Sequence, residues 1–140
     1  MTKTLIDSID KIYHQTTAYS YKTLEQYRKD FEKELNVISE LFQINVLESI
    51  FLTAIIINNT EYKNCQLEDI AVRLEVSKFE VLAQIQVLFT LRDKKLIEIN
   101  EWEDFSPERP HFLNQRKYPI DIMNKNFSIS KIVEDKLLIF

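Results

Sequence analysis

In the stretch LEDIAVRLEVSKFEVLAQIQVLFTLRDKKLI, Leu67 to Ile97, two amphipathic segments stand on either side of a short turn. Leu67, Ile70, Ala71 and Leu74 recur at helical spacing and predict a short helix over 66–75. Ser77 followed by Glu80 has the spacing of a reciprocal N-terminal cap. It predicts a longer helix over 78–93, with Phe79, Val81, Leu82, Ile85, Leu88, Phe89 and Leu91 among its apolar residues. Ala71 is small where the first helix must pass close to the second. Leu74 and Val76 flank the turn and anchor it. The stretch nevertheless carries about as much acid as base, an unusual balance for a surface that grips phosphate.

Immediately downstream, LIEINEW alternates apolar and polar residues with period two, which predicts a strand. SPERP interrupts it, and HFLNQRKY (111–118) is expected to return as its partner. Pro107 and Pro110 cannot donate ladder hydrogen bonds, so pairing should stop between them. Upstream, Asn45 and Glu48 are spaced as another cap. The helix that follows, 46–58, is apolar on nearly every side, and a helix apolar all round is buried all round. The order helix, helix, helix, strand, loop, strand is that of a winged helix-turn-helix, a mostly α (α+β) fold with a small β-hairpin wing.

The remaining chain extends this domain. Residues 4–16 place Leu5, Ile9, Ile12 and Tyr13 on one helical face. A second helix over 23–41, capped by Thr23 with Gln26, lines up Leu24, Tyr27, Phe31, Leu35, Ile38 and Leu41, while Glu25, Arg28, Lys29, Glu32 and Lys33 read as its solvated side. Glu34 breaks the seven-residue recurrence of Leu24, Phe31 and Ile38, so packing on a globular neighbour suits this helix better than a free coiled coil. The expected organisation is an N-terminal helical extension over 1–41, a winged-helix domain over 42–120 and a C-terminal helical tail over 121–140. Residues 4–16 and 23–41 could also bury each other across a two-fold axis in a homodimer.

Within this frame, the segment SKFEVLAQIQVLFTLRDKKLI resembles the last helix and strand entry of bacterial winged-helix domains. More narrowly, it is similar to the winged helix that precedes the motor in a group of bacterial AAA-type ATPases. There a helix opening with a Leu-Glu pair, like Asn45-Val46-Leu47-Glu48, precedes a short Leu-x-x-Leu-Ala helix like Leu67–Ala71. The likeness covers about 42–100, with weaker agreement through Tyr118–Phe127. Two positions depart from it: Glu75 and Lys95 stand where glycine is usual. The resemblance implies an accessory or regulatory domain, either a piece of a longer ATPase or a stand-alone relative. The nucleotide chemistry would then belong to a downstream motor. The apolar ending KLLIF suits an interior cut and a terminal packed helix equally.

Composition narrows the function. The 140 residues are 45% hydrophobic and 29% charged, ordinary globular material, with a formal net charge of −4 and a pI near 5.3. A domain held to DNA by its own charge usually has the opposite sign. There is no glycine at all, which excludes a phosphate-cradling loop and a dinucleotide fingerprint, so no nucleotide cofactor is expected. Left-handed turn positions should then fall to asparagine, and Asn58-Asn59, Asn64 and Asn100 sit where such turns are wanted. The lone Cys65 excludes an intramolecular disulfide and reads as a small buried apolar residue. His14 and His111 are far apart and lack ligand or triad spacing, so neither metal nor catalysis is expected. The start, MTKTLIDSIDKIYHQ, has no continuous apolar core, and no apolar run is long enough to cross a bilayer. The expected location is the cytoplasm.

Two surfaces remain as candidates. For DNA, with 78–93 in the major groove, the residues in reach are Ser77, Lys78, Gln84, Arg92, Lys94, Lys95, Arg116 and Lys117. Glu80 sits unfavourably among them, and Glu98, Glu101, Glu103, Asp104 and Glu108 outweigh Arg109 in and around the wing. For a protein partner, Trp102 and Phe105 within EWEDFSPERP form an aromatic pair with an acidic rim, a composition used at interfaces. The balance favours a non-enzymatic interaction module that binds a protein partner or its own downstream domain. A DNA-binding transcriptional regulator is the alternative.

Overall fold

The computed structural model describes residues 2–15, 23–61, 65–100, 122–123 and 125–138. Helices α1 (Thr2–Gln15), α2 (Leu24–Asp30), α3 (Glu32–Phe42), α4 (Val46–Glu61), α5 (Leu67–Leu74), α6 (Lys78–Ala83) and α7 (Ile85–Asp93) come first. Strands β1 (Ile97–Asn100) and β2 (Asn126–Ile129) and a last helix, α8 (Lys131–Leu138), follow. Among the described residues the protein is mostly helical, with one two-stranded antiparallel sheet.

α4 is the axis of the core. Its side chains from Glu48 to Asn58 are all buried, as a helix apolar on every side requires. Its start is fixed by the reciprocal cap the sequence predicts. The Asn45 N–H donates to Glu48 Oε1 at 2.9 Å, and the Glu48 N–H donates to Asn45 Oδ1 at 2.7 Å. The helix runs three residues beyond Asn58, because both asparagines find partners without leaving it. Asn58 turns inward, and Asn59 grips β2: its Nδ2 donates to the Phe127 carbonyl at 3.3 Å, while the Ile129 N–H donates to its Oδ1 at 2.8 Å.

The strand over LIEINEW is present as β1, but its partner is β2, in the register Ile97↔Ile129, Glu98↔Ser128, Ile99↔Phe127 and Asn100↔Asn126. The expected partner 111–118 lies outside the described residues. Within the expected C-terminal tail, 126–129 is a strand ahead of the helix. Phe127, fully buried, brings an aromatic side chain of that strand into the core. The outer edge of β2 is covered as well: the Phe127 N–H donates to the Cys65 carbonyl at 2.8 Å, and the Cys65 N–H to Asn126 Oδ1 at 2.6 Å. Asn59 and Cys65 together do the work of a third strand.

The N-terminal helices share this core. One cluster of buried side chains takes in Leu5 and Ile12 of α1, Leu24, Tyr27, Phe31, Leu35 and Ile38 of α2–α3, the apolar run of α4 from Ile50 to Ile56 and Val133 of α8. The expected helix over 23–41 bends at Phe31 (φ −119°) into α2 and α3. Helical hydrogen bonds still bridge the bend, from Phe31 N–H to Tyr27 at 3.1 Å and from Leu35 N–H to Phe31 at 2.8 Å, so the apolar stripe stays on one side. Glu34, which interrupts that stripe, is only 8% exposed and pairs with Lys11 Nζ of α1 at 3.0 Å. Both helices therefore use their apolar faces inside their own chain.

Glycine's absence is met differently from the sequence expectation. Among the described residues the left-handed positions are Gln43 (φ 55°), Glu75 (φ 59°) and Lys95 (φ 63°), not Asn58, Asn59 or Asn100, and Asn64 lies outside the described residues. Each follows the last turn of a helix, where the next N–H must reach back to free carbonyls: Ile44 to Ser39, Val76 to Ala71, Leu96 to Leu91. Geometry at the helix end selects the position, whatever residue stands there. Among the described residues no single helix is long and apolar enough to cross a membrane.

Candidate interaction surface on α5 and α6

The basic residues picked out for DNA fall at two ends of the α6–α7 unit. At the far end, Lys94 Nζ lies 3.0 Å from Glu48 Oε1, the same oxygen that accepts from Asn45. Glu48 is 2% exposed, so Lys94 serves a buried carboxylate at the start of α4. Arg92 stands 3.5 Å from Asp93 and 5.0 Å over the Phe89 ring. Lys95 is exposed on the left-handed turn and has no carboxylate partner among the described residues. Arg116, Lys117, Trp102 and Phe105 lie outside the described residues.

At the near end, Ser77 Oγ accepts from the Phe79 N–H at 3.1 Å and caps α6. Glu80 does not complete the expected reciprocal cap. Its Oε1 accepts instead from the Leu24 N–H at 3.1 Å, because the start of α2 lies alongside and its first N–H has no acceptor within its own helix. The predicted helix over 78–93 is broken at Gln84 (φ −105°), which ends α6 and begins α7. Gln84 is half-buried there, on the side of Val81 and Leu88, and not on the outward face expected of a base-reading residue. The outward residues of α6 and early α7 are Lys78, Phe79, Ala83 and Gln86.

Phe79 is 66% exposed, and Val72 on the outer side of α5 is 71% exposed. Lys78 Nζ sits 5.7 Å from the centroid of the Phe79 ring, within cation–π range. One turn before Val72, on the same face, Glu68 is exposed. The sequence names Phe79 only among the apolar residues of the helix expected over 78–93, and its place in the first turn of α6, directly after the cap, is the local signal that sets it apart.

Behind this surface lies a polar network that the sequence did not announce. Arg73 Nε donates to Asn58 Oδ1 at 3.0 Å, its guanidinium pairs with Glu61, and it lies 5.6 Å over the Tyr13 ring. A hydrogen bond from Tyr13 and the nearby Arg73 hold the Glu61 carboxyl below its ordinary value. Asn58 Nδ2 donates to the Cys65 sulfur at 3.5 Å, and burial pushes that thiol up to about 12. Burial likewise pushes the Tyr27 phenol up. Arg73 thus ties α5 to α4 and α1 from a single side chain, and Cys65 stays a protonated thiol with packing as its role. Among the described residues no group of three His, Cys, Asp or Glu side chains is placed to hold a metal ion. No family model, curated protein or solved structure matches the chain.

Proposed function

We propose that this chain is a non-enzymatic winged-helix module that binds protein through the outer face of α5 and α6. In this reading it is an accessory or regulatory domain of the kind that precedes the motor in bacterial AAA-type ATPases, or a stand-alone relative. The order α4, α5, α6–α7, β1, β2 supports the fold assignment. So do the left-handed turns at Glu75 and Lys95, the two positions where the resemblance places glycine.

The observation that carries the function is Phe79. In the first turn of the helix that would enter a major groove, a large apolar side chain stands two-thirds exposed. Such a group gains little beside phosphate and gains most by leaving water against an apolar partner. Of the cations that would have to grip the backbone, Lys94 is committed to Glu48 and Arg92 stands beside Asp93, which leaves Lys78 and Lys95 among the described residues. Fluorescence anisotropy with mixed-sequence duplexes tests the reading. It expects no saturable binding at physiological salt. A micromolar or tighter complex lost in the double variant Lys78→Ala, Gln86→Ala would replace it with a DNA-binding regulator.

A further inference from the structure

We infer that α2 is a releasable clasp: it leaves the core and unwinds as a unit up to Phe31, while α3, α4 and the sheet stay closed. The chain supplies a stopping point and a weak hold. Phe31 (φ −119°, ψ 24°) interrupts the helix, and its own side chain, 1% exposed, stays anchored in the core. Before it, α2 has only seven residues, of which Leu24 and Tyr27 are buried. A helix that short does not persist in water once its packing is lost, so release and unwinding are one event. The remaining side chains of α2 are exposed. Among them Gln26 Nε2 donates to Asp30 Oδ1 at 3.0 Å and Arg28 stands 3.8 Å from Glu25, contacts that hold α2 together without holding it to the core.

The seat of Tyr27 weakens that hold further. Its ring tilts against Phe31, with 4.8 Å between centroids. Its hydroxyl, however, is buried and has no hydrogen-bond partner among the described residues. A buried donor without an acceptor costs free energy that is recovered when it returns to water. α4 is held far more firmly, since every residue from Ile50 to Ile57 is buried. The first turn of α2 is tied to another helix by the Leu24 N–H, which donates to Glu80 Oε1 of α6 at 3.1 Å. The Thr23 cap cannot replace that tie, because Thr23 Oγ1 accepts from the Gln26 N–H within the same turn. Glu80 is thus the catch of the clasp. It follows Phe79 in α6, so opening α2 also releases a side chain of the helix that carries the candidate surface. The clasp itself does not depend on that surface binding protein.

Native-state hydrogen exchange on the full chain, followed by NMR in increasing sub-denaturing urea, tests the clasp. Relative to their intrinsic rates, the backbone amides of Tyr27–Asp30 should exchange at least roughly 100-fold faster than those of Ile50–Ile57, with a much weaker dependence on urea. Glu80→Ala removes a charged acceptor and should speed exchange over Tyr27–Asp30 roughly tenfold. Glu80→Gln keeps an oxygen in place and should fall between the wild type and Glu80→Ala. Tyr27→Phe keeps the ring and removes the unpaired hydroxyl, so it should slow the same amides roughly three- to tenfold. If Tyr27–Asp30 share the rates and the urea dependence of Ile50–Ile57, α2 opens only with the whole protein and the inference is overturned. Absence of any protection over Tyr27–Asp30 overturns it too, since nothing is then clasped. So does exchange indifferent to both Glu80 variants, or exchange that Tyr27→Phe leaves unchanged or speeds.

Discussion

Replacing Gln43, Glu75 and Lys95 by glycine, singly and together, should stabilise the protein. All three hold φ between 55° and 63°, where Cβ crowds the carbonyl oxygen at a cost of about 1–2 kcal/mol for a residue that is not glycine. Glycine removes the clash but brings a more flexible unfolded chain, which offsets roughly 0.5–1 kcal/mol. The net gain is then about 0.5–1 kcal/mol at each position. The three turns stand at different helix ends and share no side-chain partner in the described structure, so their effects should nearly add, to about 2 kcal/mol. For a chain of this size that corresponds to a rise in Tm of roughly 6–10 °C. Calorimetric melts and urea midpoints provide the measurement, with asparagine at the same positions expected to fall between the native residue and glycine. Asn59→Gly is the contrasting control. It loses both hydrogen bonds to β2 and introduces glycine inside a helix, so it should cost about 2–3 kcal/mol. Unchanged or lowered melting in all three single variants would show that these turns are not left-handed.

Ala71→Leu should overpack the crossing behind α5, where Ala71 is 2% exposed, and cost about 1–3 kcal/mol by urea denaturation. Cys65, fully buried with its thiol pushed up to about 12, should resist a thiol-reactive disulfide reagent at pH 8 while folded and react completely in denaturant. Glu61 has a lowered carboxyl pKa in the folded state, so its contribution is present above the ordinary value of 4.5 and lost as pH falls through the lowered one. Glu61→Gln should therefore flatten that acid limb in a plot of urea midpoint against pH.

Where the sequence was legible, backbone need and side-chain chemistry coincided. Asn45 with Glu48 both marks the start of α4 and forms its cap, and the continuous apolar run after it leaves no reading except burial. The bounds of α5 follow from the same coincidence, whereas the left-handed turns were expected at asparagines and fall instead at Gln43, Glu75 and Lys95, where the helix ends need them. The pairing of β1 with 126–129 was not legible, because it depends on the grip of Asn59 and Cys65 on β2, a long-range arrangement with no local trace. The candidate surface was half legible. Lys78 and Arg92 are exposed as expected, but Gln84 lies at a helix break that neither propensity nor period marks. Phe79 was not singled out because a helical period counts apolar residues without knowing which of them another helix will cover.

The even balance of acid and base in Leu67–Ile97 has a physical explanation in the helix ends. An α-helix leaves its first N–H groups without partners, and a carboxylate is a strong acceptor for them. Here Asp69 accepts at the start of α5, Glu80 at the start of α2, and Glu48 at the start of α4, where it also holds Lys94. Glu61 takes up the guanidinium of Arg73 inside the fold. Each of these acids counts fully in the net charge, yet its field is directed at backbone or at a cation of the same chain. The charge that a partner meets is the remainder, and on α5 and α6 the exposed charges are Glu68 and Lys78. A net-charge argument about nucleic acid is therefore incomplete, because it counts acids whose charge is already engaged in holding the helices together.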